Sequence, residues 1–332
     1  MPQGSILGPL LYILYTNELP IILNPQQNEL SCGSLVCYAD DSTLWLQDKD
    51  PIVLKNMIDA KYQLVAEYMA MNKLKLNSSK THLMIIRTRE AHRRDGNLGI
   101  ELSTGNEDIR SSECERLLGV VVSQDLRWDQ HIRLHNNSLI KNLTVRLNAL
   151  LKISEFTSFK IRKMIAEGIF TSCLIYSIQL WGGSSQSLLS SLQIIQNKAA
   201  RFVTKLGIRT PTRTLLLQTG WLSIKQLIVY HNCLCIYKMK KHSKPMYFSL
   251  KFGIAEQPSR EEHPISSRTR LYSSGGIRFE SNNVKSQLDK ENFSSLAVQS
   301  WNMLPVEVRQ SPTLAYFKKN LRQWIMKNVA IR

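Results

Sequence analysis

Zinc-type spacing is missing from this chain. Its six cysteines (Cys32, Cys37, Cys114, Cys173, Cys233 and Cys235) include no CxxC pair and no trailing histidine pair. No zinc site is therefore expected. Six cysteines in 332 residues are also too sparse for a disulfide framework, which points to a reducing compartment. Cys32 and Cys37 lie in an apolar run and read as core residues. Long apolar runs are missing too. The stretch from Leu7 to Leu23 is broken by Asn17, Glu18 and Pro20, and that from Ile165 to Trp181 contains Glu167 and Gln179. Neither reads as a membrane span, so no membrane partner is expected. Residues 1–5 offer no basic n-region, and no secretory leader is expected. There is no internal repeat and no low-complexity tract.

Acidic residues are scarce, and unevenly so. The formal net charge is +17. Residues 1–150 carry 16 basic and 17 acidic side chains, whereas residues 151–332 carry 27 and 9. A basic excess of this size calls for a polyanionic partner, which in a soluble protein usually means nucleic acid. Its confinement to the second half suggests a balanced core followed by a nucleic-acid-binding portion. A hydrophobic fraction of 43% is ordinary for a chain that packs a core.

Residues 6–16 are apolar and predict a helix that ends over Asn17–Pro20, followed by a polar loop to Leu30. Ser34–Ala39 and Thr43–Leu46 read as two strands joined by Asp40-Asp41-Ser42, a β-hairpin with an acidic turn. Asp50-Pro51 supplies a cap and first-turn proline for the next helix. Its apolar stripe is Leu54, Met57, Ile58, Leu64, Val65, Tyr68 and Met69. Leu83–Arg87 and Leu117–Val122 read as strands, and residues 91–109 as a loop with a weak hairpin. Beyond Trp128, residues 131–153, 158–180, 184–206 and 222–241 show helical periodicity. The pattern predicts an α+β domain followed by an α-helical one.

The acidic turn carries the first chemistry. Tyr38-Ala39-Asp40-Asp41 places adjacent carboxylates between apolar strands, and hard oxygen ligands suit Mg²⁺ or Mn²⁺. Asp-Asp is also ordinary turn chemistry. Pro2-Gln3-Gly4-Ser5 precedes an apolar helix. Gly4 permits close backbone approach to a ligand and Gln3 can donate and accept, although Gly-Ser is equally a helix cap. Lys80 follows an Asn-Ser-Ser turn, where a lysine can meet phosphate or simply be solvated.

The order of these motifs resembles a known family. Pro2-Gln3-Gly4-Ser5-Ile6-Leu7-Gly8-Pro9-Leu10-Leu11 resembles the B motif of non-LTR (LINE-like, jockey/CR1-type) retrotransposon reverse transcriptases. Tyr38-Ala39-Asp40-Asp41 resembles their C motif. The run from Asn72 to Thr81 is similar to the D motif, and Leu117-Leu118-Gly119-Val120 to the E motif, or primer grip. Leu126-Arg127-Trp128 with His131 resembles the segment that follows. Residues 192–201 resemble the thumb, and Trp301-Asn302-Met303-Leu304-Pro305 with Phe317-Lys318 resembles the C-terminal end.

The resemblance implies an RNA-directed DNA polymerase with a right-hand fold. Residues 1–125 would be the second half of the palm, 126–245 a helical thumb and 246–332 a basic C-terminal extension. Asp40 and Asp41 would hold Mg²⁺, with Mn²⁺ as a substitute. Gln3, Gly4, Ser5, Tyr38 and Ala39 would contact template and incoming nucleotide. Leu118 and Gly119 would grip the primer, and Lys80 would protonate the leaving pyrophosphate. The partners implied are an RNA template, a DNA primer and deoxynucleoside triphosphates, in a nuclear or cytoplasmic ribonucleoprotein setting. In the family, the fingers and an A-motif aspartate lie upstream of the B motif. The chain is therefore expected to be a C-terminal fragment, inactive alone. The alternative is a non-catalytic nucleic-acid-binding remnant of such an element.

Overall fold

The structure is a computed structural model that describes residues 6–23, 33–96, 98–104, 108–242 and 292–331. It is α+β, and it divides into two compact units. One holds residues 1–117 and 122–126, the other residues 118–121 and 127–332.

In the first unit, α1 (Gly8–Tyr15) ends where expected, but Pro20 does not stop the chain. It sits in the first turn of α2 (Leu19–Leu23), where the missing N–H has no partner to lose. Strands β1 (Gly33–Tyr38) and β2 (Asp41–Leu46) pair antiparallel, with Tyr38 opposite Asp41 and Gly33 opposite Leu46. Helix α3 (Pro51–Met71) starts as its sequence implies: the Asp50 carboxylate accepts the Ile52 N–H at 2.8 Å. Leu19, Leu23, Tyr68 and Met69 form a small core, with Leu35, Val65, Leu74 and Leu76 packed on it. Two tyrosine hydroxyls tie α1 to α3. Tyr68 donates to the Tyr15 carbonyl at 3.1 Å, and Tyr15 donates to that of Asn72.

Three expectations for this unit need correction. Leu83–Arg87 is not a strand, and contributes one parallel bridge from Leu83 to Ser111. Its donors go to separate acceptors: the Ile85 N–H to the Ser111 hydroxyl, and the Arg87 N–H to the Gln124 carbonyl. Such scattered partners satisfy the backbone without a ladder. Helix α4 (Arg89–Asp95) occupies part of the presumed loop. The Thr88 hydroxyl caps it by accepting the Ala91 N–H, and Gly96 at φ 61° ends it. Beyond it, β3 (Glu101–Ser103) and β4 (Asp108–Arg110) form the weak hairpin, closed by an Arg110–Glu101 ion pair. The single strand expected over Leu117–Val122 is two, β5 (Cys114–Leu117) and β6 (Val120–Ser123), folded back at Leu118–Gly119.

The second unit is helical. A π-turn at Gln130–Leu134 leads into α5 (Leu139–Lys152). The helix expected over 158–180 is broken in two places. After α6 (Phe159–Ala166) comes a π-turn, Glu167–Thr171, and α7 (Ser172–Ile175) is parted from α8 (Ile178–Trp181) by Ser177 at φ 52°. Then follow α9 (Gln186–Thr204), α10 (Thr212–Thr219) and α11 (Ile224–His242). Leu143, Phe170, Leu174, Trp181, Leu192 and Ala199 are wholly buried in their common core.

A second core lies between α11 and the three helices α12 (Phe293–Asn302), α13 (Val306–Arg309) and α14 (Leu314–Asn328). Trp301, Phe317, Leu321 and Ile325 are fully buried against Cys233 and Ile236. Tyr237 stacks on Phe317 with ring centroids 4.2 Å apart, and its hydroxyl donates to the Ser311 carbonyl at 2.9 Å. The Gln226 amide donates to the Val329 carbonyl at 2.9 Å. No helix among the described residues is long and apolar enough to cross a membrane.

Candidate functional site

The register Tyr38↔Asp41 leaves two residues, Ala39 and Asp40, to turn the β1–β2 hairpin. Asp41 and Ser42, expected in the turn, are strand residues. Ala39 takes φ 51°, a left-handed conformation that costs a side-chain-bearing residue about 1–2 kcal/mol. Such strain persists where surrounding pairing fixes it, and six opposed residue pairs do so here. Tyr38, Asp40 and Asp41 are all exposed at this tip. Cys37, expected in the core, is exposed as well, and its sulfur accepts the Ser42 hydroxyl at 3.6 Å. Cys32 lies outside the described residues.

Tyr12 of α1 faces the tip. Its hydroxyl is pushed above the usual phenol range, first by burial and then by the charges of Asp40 and Cys37. It therefore remains a neutral hydrogen-bond donor beside Asp40 at neutral pH. Nothing in the local pattern marks Tyr12, because only the packing of α1 brings it to the hairpin.

Asp40 and Asp41 offer hard oxygen donors accessible to a divalent cation. Among the described residues, no three His, Cys, Asp or Glu side chains converge as a metal-ligand set. The hairpin thus offers two oxygen donors that fit such a cation in chemistry. Lys80 closes a 3₁₀ turn, Ser78–Lys80, and is exposed. Asn77 organises that turn, accepting the Ser79 hydroxyl on its side chain at 2.6 Å and the Thr81 hydroxyl on its carbonyl at 3.0 Å. Gln3, Gly4 and Ser5 lie outside the described residues.

Leu118 and Gly119 form a separate exposed turn, with φ of 47° and 85°. Two positive values in a row mark the type I′ hairpin, which favours Asn-Gly and disfavours leucine. Tyr176 covers this turn. Just after it, the Val121 N–H donates to Nδ1 of His131 at 3.3 Å. Burial lowers the His131 pKa to about 4, so the imidazole is neutral and able to accept that bond.

The helical unit supplies a basic surface. No aspartate or glutamate occurs from residue 168 to residue 255. Lys198, Lys205, Arg209 and Arg213 are exposed there on α9, α10 and the segment between them. Arg201 supports that segment, donating to the Ile208 carbonyl at 2.9 Å.

Residues 1–122 match the family model described as reverse transcriptase (RNA-dependent DNA polymerase). That span includes the segments that resemble the B, C, D and E motifs. The chain is 23% identical over 208 residues to the RNA-directed DNA polymerase from mobile element jockey of Drosophila melanogaster, covering 61% of this chain and 22% of that protein. It is 26% identical over 208 residues to the probable RNA-directed DNA polymerase from transposon X-element of the same species, covering 61% and 21%. It is 22% identical over 244 residues to the probable RNA-directed DNA polymerase from transposon BS, covering 73% and 26%. The chain therefore spans about a fifth to a quarter of these relatives. No solved structure matches it. Family and relatives alike bear out the resemblance that the motifs carry.

Proposed function

We propose, from its relationship to the reverse transcriptases of non-LTR retrotransposons, that this chain is the part of an RNA-directed DNA polymerase that holds the primer–template and half of the metal site. The observation that carries this reading is the acidic hairpin: adjacent exposed carboxylates at a strained two-residue turn, inside a span that matches the reverse transcriptase family. Residues up to about 125 would serve as palm, the helices from 126 to about 245 as thumb, and the remainder as a basic extension.

Polymerases of this family use divalent metal ions, and Mg²⁺ fits the carboxylate oxygens, with Mn²⁺ as a substitute. When bound, the metal would lower the pKa of the primer 3′-hydroxyl and offset charge on the leaving pyrophosphate. Asp40 and Asp41 would be its ligands. The Tyr12 hydroxyl, kept protonated beside Asp40, would orient that carboxylate. Tyr38 and Ala39, with Gln3, Gly4 and Ser5, would contact nucleotide and template. Leu118 and Gly119 would hold the primer end through backbone groups, and Lys80 would neutralise or protonate the departing pyrophosphate. The basic helical surface around Lys198, Arg209 and Arg213 would follow the duplex by phosphate contacts. The protein would act in the nucleus or in a cytoplasmic ribonucleoprotein.

Among the described residues no third ligand joins the hairpin carboxylates, so we expect no primer extension by this chain alone on an RNA template, in Mg²⁺ or in Mn²⁺. The test runs the chain beside an Asp40→Ala, Asp41→Ala double variant. Extension by the native chain that disappears in the variant would overturn the incomplete-site reading. A folded chain that binds primer–template without extending it supports that reading.

A further inference from the structure

We infer that Tyr176 is a positioning residue for the Leu118–Gly119 turn, its hydroxyl fixing the turn in the shape that meets a primer 3′ end. The inference rests on the reading of that turn as the primer grip.

Leucine is a poor choice for the first position of a type I′ turn. A strained turn is held only when its surroundings over-determine it, and Tyr176 supplies the constraint. Its hydroxyl donates to the Leu118 carbonyl at 2.5 Å. Its ring lies 3.4 Å from where a Cβ on Gly119 would stand, so ring and hydroxyl grip the two turn residues separately.

Tyr176 is itself anchored. The indole N–H of the fully buried Trp181 donates to the Tyr176 carbonyl at 3.0 Å. Ser177 at φ 52° interrupts the helix between α7 and α8 just there. That break frees Tyr176 from the helical surface it would otherwise follow. The His131 acceptor on the Val121 N–H fixes the other side of the turn.

Solvent exposure separates this arrangement from ordinary core support. Tyr176 is 52% exposed and Leu118 42%. An unusual backbone, held from a distant element yet open to solvent, suits a surface that must meet a ligand in one geometry.

The test uses the full chain with Tyr176→Phe, which keeps the ring and removes the hydroxyl, and Leu118→Gly, which relieves the strain. Hydrogen exchange reports the turn in the free protein. A fluorescent adenine analogue, placed either at the primer 3′ terminus or eight base pairs inside an RNA–DNA duplex, reports contact with the primer end. For Tyr176→Phe we expect roughly five-fold faster exchange over residues 118–121, as loss of one hydrogen bond implies. We also expect a similar loss of affinity read at the terminus, with the internal probe and the melting temperature unchanged. Leu118→Gly, by relieving the strain, should restore the terminal signal and slow the exchange again in the Tyr176→Phe background. If native protein reads the terminal and internal probes alike, the primer-grip reading fails and the inference with it. If native protein discriminates the terminus and Tyr176→Phe does so equally well, the inference alone is overturned.

Discussion

His131 illustrates how one residue ties a turn to a helical core. It is 5% exposed, and its ring accepts a backbone N–H that β6 would otherwise leave unpaired. Its folded pKa of about 4 lies below the ordinary value of 6.5. The unfolded chain therefore binds a proton first as pH falls. The contribution is complete above pH 6.5 and is lost between pH 6.5 and about 4, by up to about 3 kcal/mol. Melting temperatures across that range should fall more steeply for the native chain than for His131→Leu, which should be less stable at pH 7. A second residue is limited by space. A Cβ on Gly182 would lie 2.7 Å from the Ile178 carbonyl oxygen and 2.9 Å from an Ile228 methyl. The oxygen is backbone and cannot yield. Gly182→Ala should cost about 1–3 kcal/mol in denaturant unfolding. At this scale the sequence yields the polar chemistry of contiguous motifs. Asp40 and Asp41 stand out because they are neighbours between apolar strands. Tyr12 and Tyr176 do not, because each reaches its site from a distant element and nothing in the local pattern marks it.

Among elements, those with a local physical cause were legible. Asp50-Pro51 started α3, and the two runs around Asp40 paired as a hairpin. The errors have causes of their own. The periodicity over 158–180 is helical throughout, yet the structure inserts a π-turn and a left-handed serine, and a hydrophobic stripe tolerates both. Leu83–Arg87 has strand composition, but among the described residues its pairing is a single bridge to Ser111. Leu117–Val122 is uniformly apolar apart from Gly119, so the fold-back at Leu118 was hidden by a residue ill-suited to the turn it makes. Helix α4 was signalled by Thr88 and Gly96, a cap at either end, and was obscured by the polar residues between them.

On the scale of the molecule, charge and apolar surface pull toward different partners. The helical unit carries most of the +17 excess. Nucleic-acid binding should accordingly fall about 10³- to 10⁵-fold between 50 and 200 mM salt if six to ten phosphates are contacted. Fluorescence anisotropy of a labelled RNA–DNA duplex would measure the slope, and a flat dependence would remove phosphate contacts from the account. The first unit presents apolar side chains instead. Ile6, Leu7, Leu10, Ile13 and Leu14 are each more than half exposed around α1. The α+β pattern and the basic second half were both visible in the sequence. The apolar face was not, since the same residues read equally well as a buried helix.

The core between α11 and α12–α14 is built from pieces far apart along the chain. Tyr237 bonds to Ser311, and Gln226 to Val329. As two separate polypeptides, the same contacts would have to offset an association entropy that a single chain does not lose. Residues 1–242 and 292–332 expressed as separate polypeptides should find each other through Trp301 and Phe317 and copurify. Trp301→Ala in the shorter piece should abolish the association.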